Sequence, residues 1–293
     1  MTDQITESMA ESRQKNNIHN LTQCWNKYAE SGANILDECR MADMWNKRSG
    51  SYAKNTENGG RQKKADEILE FLEECGFNPR GAKILDIGCG PGTLSIPLAK
   101  LGADVTALDI SSGMLERLKD AVKQESLPIH VMECSWWTAD IDALGFRNEF
   151  DLVIASMTPG IKDAENFDRM MACSKKYCYY SNFLRREEDS SYREIRRSIL
   201  GENSENIMSG AVFPIMYLYL SGYQPSVRIN HSVFKEETGW REAAERAIEF
   251  ISRGRDFEDA VKDDIMDYYQ KISSNGVYCF ESNVYTGMMV WEI

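Results

Sequence analysis

The chain reads as an α/β protein built on a doubly wound, mostly parallel sheet of seven strands, the last of them antiparallel. Two observations carry that expectation. Between residues 83 and 183, short apolar runs alternate with stretches of helical period at the spacing of strand–helix–strand units, which is how parallel strands are connected. The first of those runs ends in Gly88-Cys89-Gly90-Pro91-Gly92, a turn whose glycines let the backbone reverse sharply without Cβ atoms in the way.

Residues 1–60 form an N-terminal extension and helical cap. Residues 1–20 are polar, with Gln14, Lys15, Asn16, Asn17 and Asn20, and read as a frayed helix or a disordered leader. Trp25, Tyr28, Trp45 and Tyr52 follow without a strand pattern. Residues 61–185 form the ligand-binding core. Ala65, Ile68, Leu69 and Leu72 repeat at helical spacing, and Gly76 follows as a C-terminal cap. The order is then strand 83–87, helix 92–101, strand 104–109, helix 112–124, strand 128–133, a connection, strand 150–156, helix 164–174 and strand 176–183.

Residues 186–225 form a helical insertion after the fifth strand. Ser190–Leu200 has the pattern of a charged amphipathic helix, 203–209 that of a loop, and Phe213–Tyr223 is rich in aromatic residues. Residues 226–293 complete the sheet. Val227–Phe234 alternates like a strand, and a helical pair follows with Ala244, Ala247, Ile248 and Ile251 on one stripe and Thr238 as its N-cap. Thr286–Glu292 is the closing antiparallel strand.

Charge and composition narrow the function. A net charge of −12 and a pI near 4.9 disfavour a phosphate-rich partner, because a nucleic-acid binder displays a concentrated basic face. The arginines at 185, 186, 193, 196 and 197 are interleaved with Glu187, Glu188, Asp189 and Glu194, the pattern of a solvated face of charge pairs. No stretch approaches the ~18 apolar residues of a membrane span. The eight cysteines form no C-x-x-C pair and the N-terminus has no signal-peptide pattern, so a reducing cytoplasm is expected.

The glycine turn separates ligands. Dinucleotide sites read G-x-G-x-x-G, whereas Thr93 stands in place of the third glycine here. Asp86, two residues before Gly88, would repel a pyrophosphate and suits a ligand carrying an ammonium group. Cys89 lies within the turn, where a small spacer is needed, and reads as that ahead of a nucleophile.

The run Ile84-Leu-Asp-Ile-Gly-Cys-Gly-Pro-Gly-Thr93, followed by Val105-Thr-Ala-Leu-Asp-Ile-Ser-Ser-Gly-Met-Leu115, resembles the class I S-adenosylmethionine-dependent methyltransferases of small-molecule type, through about Asp151. The resemblance implies a Rossmann-like fold, S-adenosyl-L-methionine as cofactor and no metal. It implies that Asp86 holds the methionine end, that Gly88, Cys89 and Gly90 allow close approach, and that Asp109, followed by Ile110, grips both ribose hydroxyls. One carboxylate accepts from two vicinal hydroxyls at once, which gives that placement a physical logic. It places Ser135 by the exocyclic amine of the adenine, Trp136 as an apolar wall and Met114 on the opposite face, although a Met at a helix start is more often core filler. Two adjacent tryptophans in an extended loop cannot both face one pocket, so the choice between Trp136 and Trp137 stays open. Ser156 ends the fourth strand on the same edge, and Asp43-Met-Trp-Asn-Lys-Arg48 with Tyr52 is similar to the family's N-terminal cap, which lies over the cofactor. The aromatics of that segment equally read as anchors to the core.

Ser156-Met157-Thr158-Pro159 lacks the Asn or Asp, paired prolines and aromatic that amine-directed nucleic-acid methyltransferases carry there. The implied reaction is methyl transfer to a small-molecule acceptor by a monomer or homodimer, with neither nucleic acid nor membrane as partner. Tyr179, Tyr180, Tyr217, Tyr219 and Tyr223 offer aromatic walls for an apolar or cationic acceptor. His231 is the candidate base by residue type, although a lone His in a strand is commonly a satisfied structural group. The alternative function is a cofactor-binding regulatory or accessory protein without transfer; a nicotinamide-dependent oxidoreductase ranks third.

Overall fold

The computed structural model describes residues 2–31, 37–54, 60–201, 210–252 and 256–293, and within these the side chains other than those of 2–12, 31, 51–54 and 60–62. The chain forms two compact units. One comprises Met1–Asn182, Gly210–Arg228 and Gly287–Ile293, the other Phe183–Ser209 and Ile229–Thr286.

The strands are β1 (Lys83–Ile87), β2 (Asp104–Asp109), β3 (Ile129–Glu133), β4 (Phe150–Ser156), β5 (Ser174–Arg186), β6 (Ser226–Gly239) and β7 (Val277–Glu292). They form a seven-stranded sheet of order β3-β2-β1-β4-β5-β7-β6. The pairs β1–β2, β1–β4, β2–β3 and β4–β5 are parallel. The last strand runs the other way: the Ile293 N–H donates to the Lys176 carbonyl and the Glu187 N–H to the Asn283 carbonyl, so residue numbers fall along β7 as they rise along β5.

In the first unit the helices are α1 (Thr2–Ser31), α2 (Glu38–Lys54), α3 (Gly60–Glu74), α4 (Ser95–Lys100), α5 (Ser112–Glu125), α6 (Ala164–Ala172) and α8 (Val212–Leu220). Ile84, Leu85 and Ile87 are fully buried, as a central parallel strand covered on both faces requires. One face of the sheet packs Ile84, Val105, Leu152 and Ile154 against Leu72 of α3, Leu98 of α4 and Leu115 and Leu118 of α5. Gly76 ends α3 in a left-handed conformation, its N–H on the Glu73 carbonyl and that of Phe77 on Leu72, which is the expected glycine cap.

Of the two readings of the polar N-terminal stretch, the helical one holds: residues 2–20 fall in the long helix α1, anchored at Trp25, whose indole N–H donates to the Lys162 carbonyl and whose ring stacks on Phe213. Two local expectations are corrected. The helix expected over 92–101 starts only at Ser95, because Gly92 has φ +86°, outside helical range. Thr238 is no N-cap: it lies in β6, and its hydroxyl donates to the Glu242 carboxylate at 3.0 Å.

The second unit contains α7 (Ser190–Ser198), α9 (Trp240–Ser252) and α10 (Asp259–Ile272). Ile195, Ala244, Ala247, Ile251, Ile265 and Tyr269 form its core. Asp189 caps α7 by accepting the Ser191 N–H. The interleaved charges pair as expected, Arg185 with Glu187 and Arg196 with Glu188, each at 2.9 Å.

Candidate functional site

The site is assembled at the carboxyl ends of β1, β2 and β4, the edge on which open α/β sheets bind ligands. Asp86 is the first element of it, a carboxylate only 2% exposed between Leu85 and Ile87. The Ser95 hydroxyl donates to its Oδ2 at 2.6 Å. Burial pushes its pKa up to about 6, the Ser95 hydrogen bond pulls it down, and the negative charge of Asp109 adds to the rise. A cationic group arriving here offsets the cost of keeping that charge out of water.

The three glycines of the turn serve two purposes, close packing and open approach. Gly88 (φ +68°) is packed so closely that a Cβ would lie 2.0 Å from Thr158 Oγ1. Gly92 faces inward too, where a Cβ would meet Leu118 Cδ1 at 2.5 Å. Gly90 (φ +54°) has nothing within 4 Å of its Cβ position, so the backbone there is an open lip. The N–H groups of Gly88 and Cys89 both donate to the Leu108 carbonyl, tying the turn to β2. Cys89 is buried, and burial together with the charges of Asp86 and Asp109 pushes its thiol pKa far up, which keeps it a protonated spacer.

Asp109, at the end of β2, accepts the Gly90 N–H on Oδ2 at 2.9 Å and the Ser111 N–H on Oδ1 at 2.8 Å. Burial raises its pKa, and the N–H groups of Ser111, Gly90 and Ile110 oppose the rise. Ser111 caps α5 by accepting the Met114 N–H. Met114 itself is 2% exposed, so it fills the core beneath the helix start and presents no open wall.

Asn46 of α2, which lies in the cap-like stretch Asp43–Arg48 but is singled out within it by no pattern of its own, completes this corner. Its Oδ1 accepts from the Ser111 hydroxyl at 2.7 Å and from the Gly113 N–H at 2.9 Å, seating α2 on the first turn of α5. Gly113 leaves room for it, since a Cβ there would come 3.1 Å from Ser49 Oγ.

The loop after β3 leaves the sheet beside Asp109, with the Cys134 N–H on the Asp109 carbonyl. Ser135 donates to Oε1 of Glu38 at 2.5 Å, and Thr138 to the same oxygen at 2.9 Å. Trp136, expected as a wall of the ligand space, is turned inward: its ring is buried and its N–H donates to the Asn166 carbonyl of α6 at 3.1 Å. Trp137 is the half-buried member, its N–H on the Pro159 carbonyl and the Lys162 ammonium 4.4 Å above its ring. Arg169 of α6 holds the loop by donating to the carbonyls of both tryptophans.

At the end of β4 the Ser156 hydroxyl lies 3.0 Å from that of Ser181. Met157 follows with φ +51°, a conformation unusual for a residue other than glycine, and its side chain is 40% exposed. Thr158 turns back onto Gly88. Tyr52 belongs to α2, but its side chain lies outside the described residues. His231 is in the second unit, exposed on β6 and stacked on Tyr285 at 4.5 Å, with Nε2 2.8 Å from Asn283 Oδ1.

A model of the methyltransferase domain matches residues 84–177, from β1 into β5, and so takes in the turn, both buried acids and the loop after β3. Residues 84–177 thus carry a methyltransferase domain. Relatives of the chain include an uncharacterized protein of Haemophilus influenzae, 29% identical over 161 residues, which are 53% of this chain and 54% of that one. A ubiquinone biosynthesis O-methyltransferase of Bordetella avium is 37% identical over 70 residues, 22% of this chain and 29% of that one. The chain thus spans about half, or less, of the length of the curated relatives it matches. Among solved structures, magnesium protoporphyrin IX methyltransferase from Synechocystis PCC 6803 with bound SAM aligns at a TM-score of 0.49 and 16% identity, covering 87% of this chain and 98% of that one.

Proposed function

We propose that the chain transfers a methyl group from S-adenosylmethionine to a small-molecule acceptor by in-line displacement. The observation that carries this reading is the pairing of a buried, largely uncompensated Asp86 carboxylate with the open backbone lip at Gly90. Asp86 receives the ammonium of the methionine end, and Gly90 admits the nucleoside without steric cost. The N–H groups around Asp109 leave its carboxylate acceptor capacity for the ribose. The cofactor supplies an activated methyl on a good leaving group. The protein's work is to align the acceptor with it and to exclude competing water.

We place the acceptor at the end of β4, where Ser156 and the exposed Met157 end the strand. Acidic charge and the absence of an aromatic base clamp after Ser156 support a small molecule over a nucleic acid. The Bordetella relative's name, an O-methyltransferase of ubiquinone biosynthesis, agrees with that class. We assign His231 no proton transfer. Asn283 donates its amide nitrogen to Glu187 at 2.7 Å, so its oxygen faces His231 and the imidazole spends its Nε2 proton there. The eight free thiols fit a reducing cytoplasm, and among the described residues no helix is long and apolar enough to cross a membrane.

The test is incubation of the full chain with methyl-labelled donor and fractionated metabolite extracts. Appearance of S-adenosylhomocysteine with one labelled product supports the proposal. Donor binding without turnover in any fraction moves the assignment to the regulatory alternative, and no donor binding by calorimetry overturns both.

A further inference from the structure

The first stretch of the loop after β3 takes its carboxylate from elsewhere in the chain. Ser135-Trp136-Trp137-Thr138 contains no acidic or amide side chain, yet Glu38, from the first turn of α2, brings one to it from 97 positions upstream. The two loop hydroxyls both donate to Oε1, at 2.5 and 2.9 Å, which fixes the plane of the carboxylate. Among the described residues Oε2 makes no hydrogen bond, so the group is oriented on one side and free on the other. Its negative charge is felt inside the loop, where with burial it raises the Cys134 thiol pKa. The loop begins at the Asp109 carbonyl, so the next group along a nucleoside whose sugar Asp109 holds is its base.

We propose that Glu38 reads the base of the cofactor, Oε2 accepting from the exocyclic 6-amino group of adenine while Ser135 and Thr138 keep the carboxylate in register. The inference rests on the cofactor reading above. A carboxylate is an acceptor only, so it favours an amine at that position and repels a carbonyl oxygen, and a site built to bond a polar group discriminates strongly against its replacement. Specificity for the purine is then supplied by the cap helix and not by the sheet edge.

The experiment is a calorimetric titration of the full chain and two variants, Glu38→Gln and Thr138→Val, with S-adenosylhomocysteine and its 6-oxo counterpart, S-inosylhomocysteine. The parent is expected to prefer the amino form by about 100-fold. In Glu38→Gln the amide nitrogen donates to the 6-oxo group, so the preference should collapse to within about threefold, with the oxo ligand binding more tightly than it does to the parent. Thr138→Val removes one supporting donor from an exposed position and should reduce the preference severalfold. A latch that merely docks α2 would weaken both ligands alike, so an unchanged ratio in both variants overturns the assignment. If the parent binds neither ligand, the cofactor reading falls and takes this one with it; if the parent binds both without preference, only this one falls.

Discussion

The two rims of the candidate site are built differently. On the sheet side, both buried acids and the glycine turn come from one continuous stretch, Asp86 to Met114, with Thr158 of the β4 end packed on Gly88, and most of the shaping is done by backbone N–H groups and missing Cβ atoms. On the cap side, Glu38 and Asn46 reach across 97 and 65 positions to meet the β3 loop and the start of α5, and the bonds are made by side chains. The difference teaches which rim tolerates change. Backbone geometry fixed by a packed core is all or nothing, whereas a side-chain dock on a surface helix opens locally at modest cost.

The largest effect should follow from closing the tightest point of the sheet rim. Gly88→Ala forces a Cβ onto Thr158 and keeps a left-handed φ, and the two penalties together should cost about 3–5 kcal/mol of stability, read as a shifted urea midpoint. Adding Thr158→Ala should recover the clash but leave the conformational cost of about 1–2 kcal/mol. A loss below about 1 kcal/mol for Gly88→Ala alone would mean that the rim is as yielding as the cap.

Asp109→Ala comes next. It should weaken S-adenosylhomocysteine binding by about 1.5–3 kcal/mol through lost ribose contacts, and it leaves the N–H groups of Gly90 and Ser111 without their acceptor. Asp109→Asn retains one acceptor oxygen and should lose less stability than Asp109→Ala. Equal calorimetric affinities of Asp109→Ala and parent would remove the ribose from this corner.

Much of the sheet rim was legible because its demands are local. A glycine at 88 or 90 announces a backbone that turns, and a carboxylate at 86 inside an apolar strand announces a ligand or a partner, whatever the rest of the chain does. The cap rim was legible as a segment but not residue by residue. Asn46 is one of many polar residues on α2, and its value depends on Ser111 and Gly113 arriving beneath it. The choice between Trp136 and Trp137 stays open for the same reason: neighbouring tryptophans look alike in sequence, and what distinguishes them in the fold is the Asn166 carbonyl, 30 positions on, which accepts the Trp136 N–H. Thr238 reads as a cap only while β6 is expected to stop at Phe234; the strand continues to Gly239 and absorbs it.

A pH series tests the sheet rim without mutation. In the free protein Asp86 has its pKa raised to about 6, above the ~3.9 of an unfolded chain, so the folded state holds its proton more tightly. Its contribution therefore favours folding at low pH and is lost as pH rises from about 4 to about 6. A bound ammonium favours the ionised form, so the linkage for the ligand has the opposite sign. Affinity for S-adenosylhomocysteine should rise about tenfold between pH 5 and pH 7, and Asp86→Asn should abolish that rise while weakening binding at pH 7. A flat affinity profile in the parent would take the ammonium away from Asp86.

The smallest effect belongs to the cap and gives the contrast its sharpest form. Asn46→Ala removes one acceptor shared by the Ser111 hydroxyl and the Gly113 N–H. The Ser111 hydroxyl is buried and Gly113 half-buried, but the space that Asn46 vacates lies under a surface helix and can admit a water, so global stability should fall by about 1–1.5 kcal/mol. Amide hydrogen exchange should nevertheless accelerate severalfold or more along α2, while the amides of β1 and β2 keep their protection. If exchange accelerates in β1 to the same extent, α2 and the sheet edge open as one cooperative body. The division between a rigid backbone rim and a separately docked cap would then have to be abandoned, along with the idea that base recognition can be altered at Glu38 without disturbing Asp86.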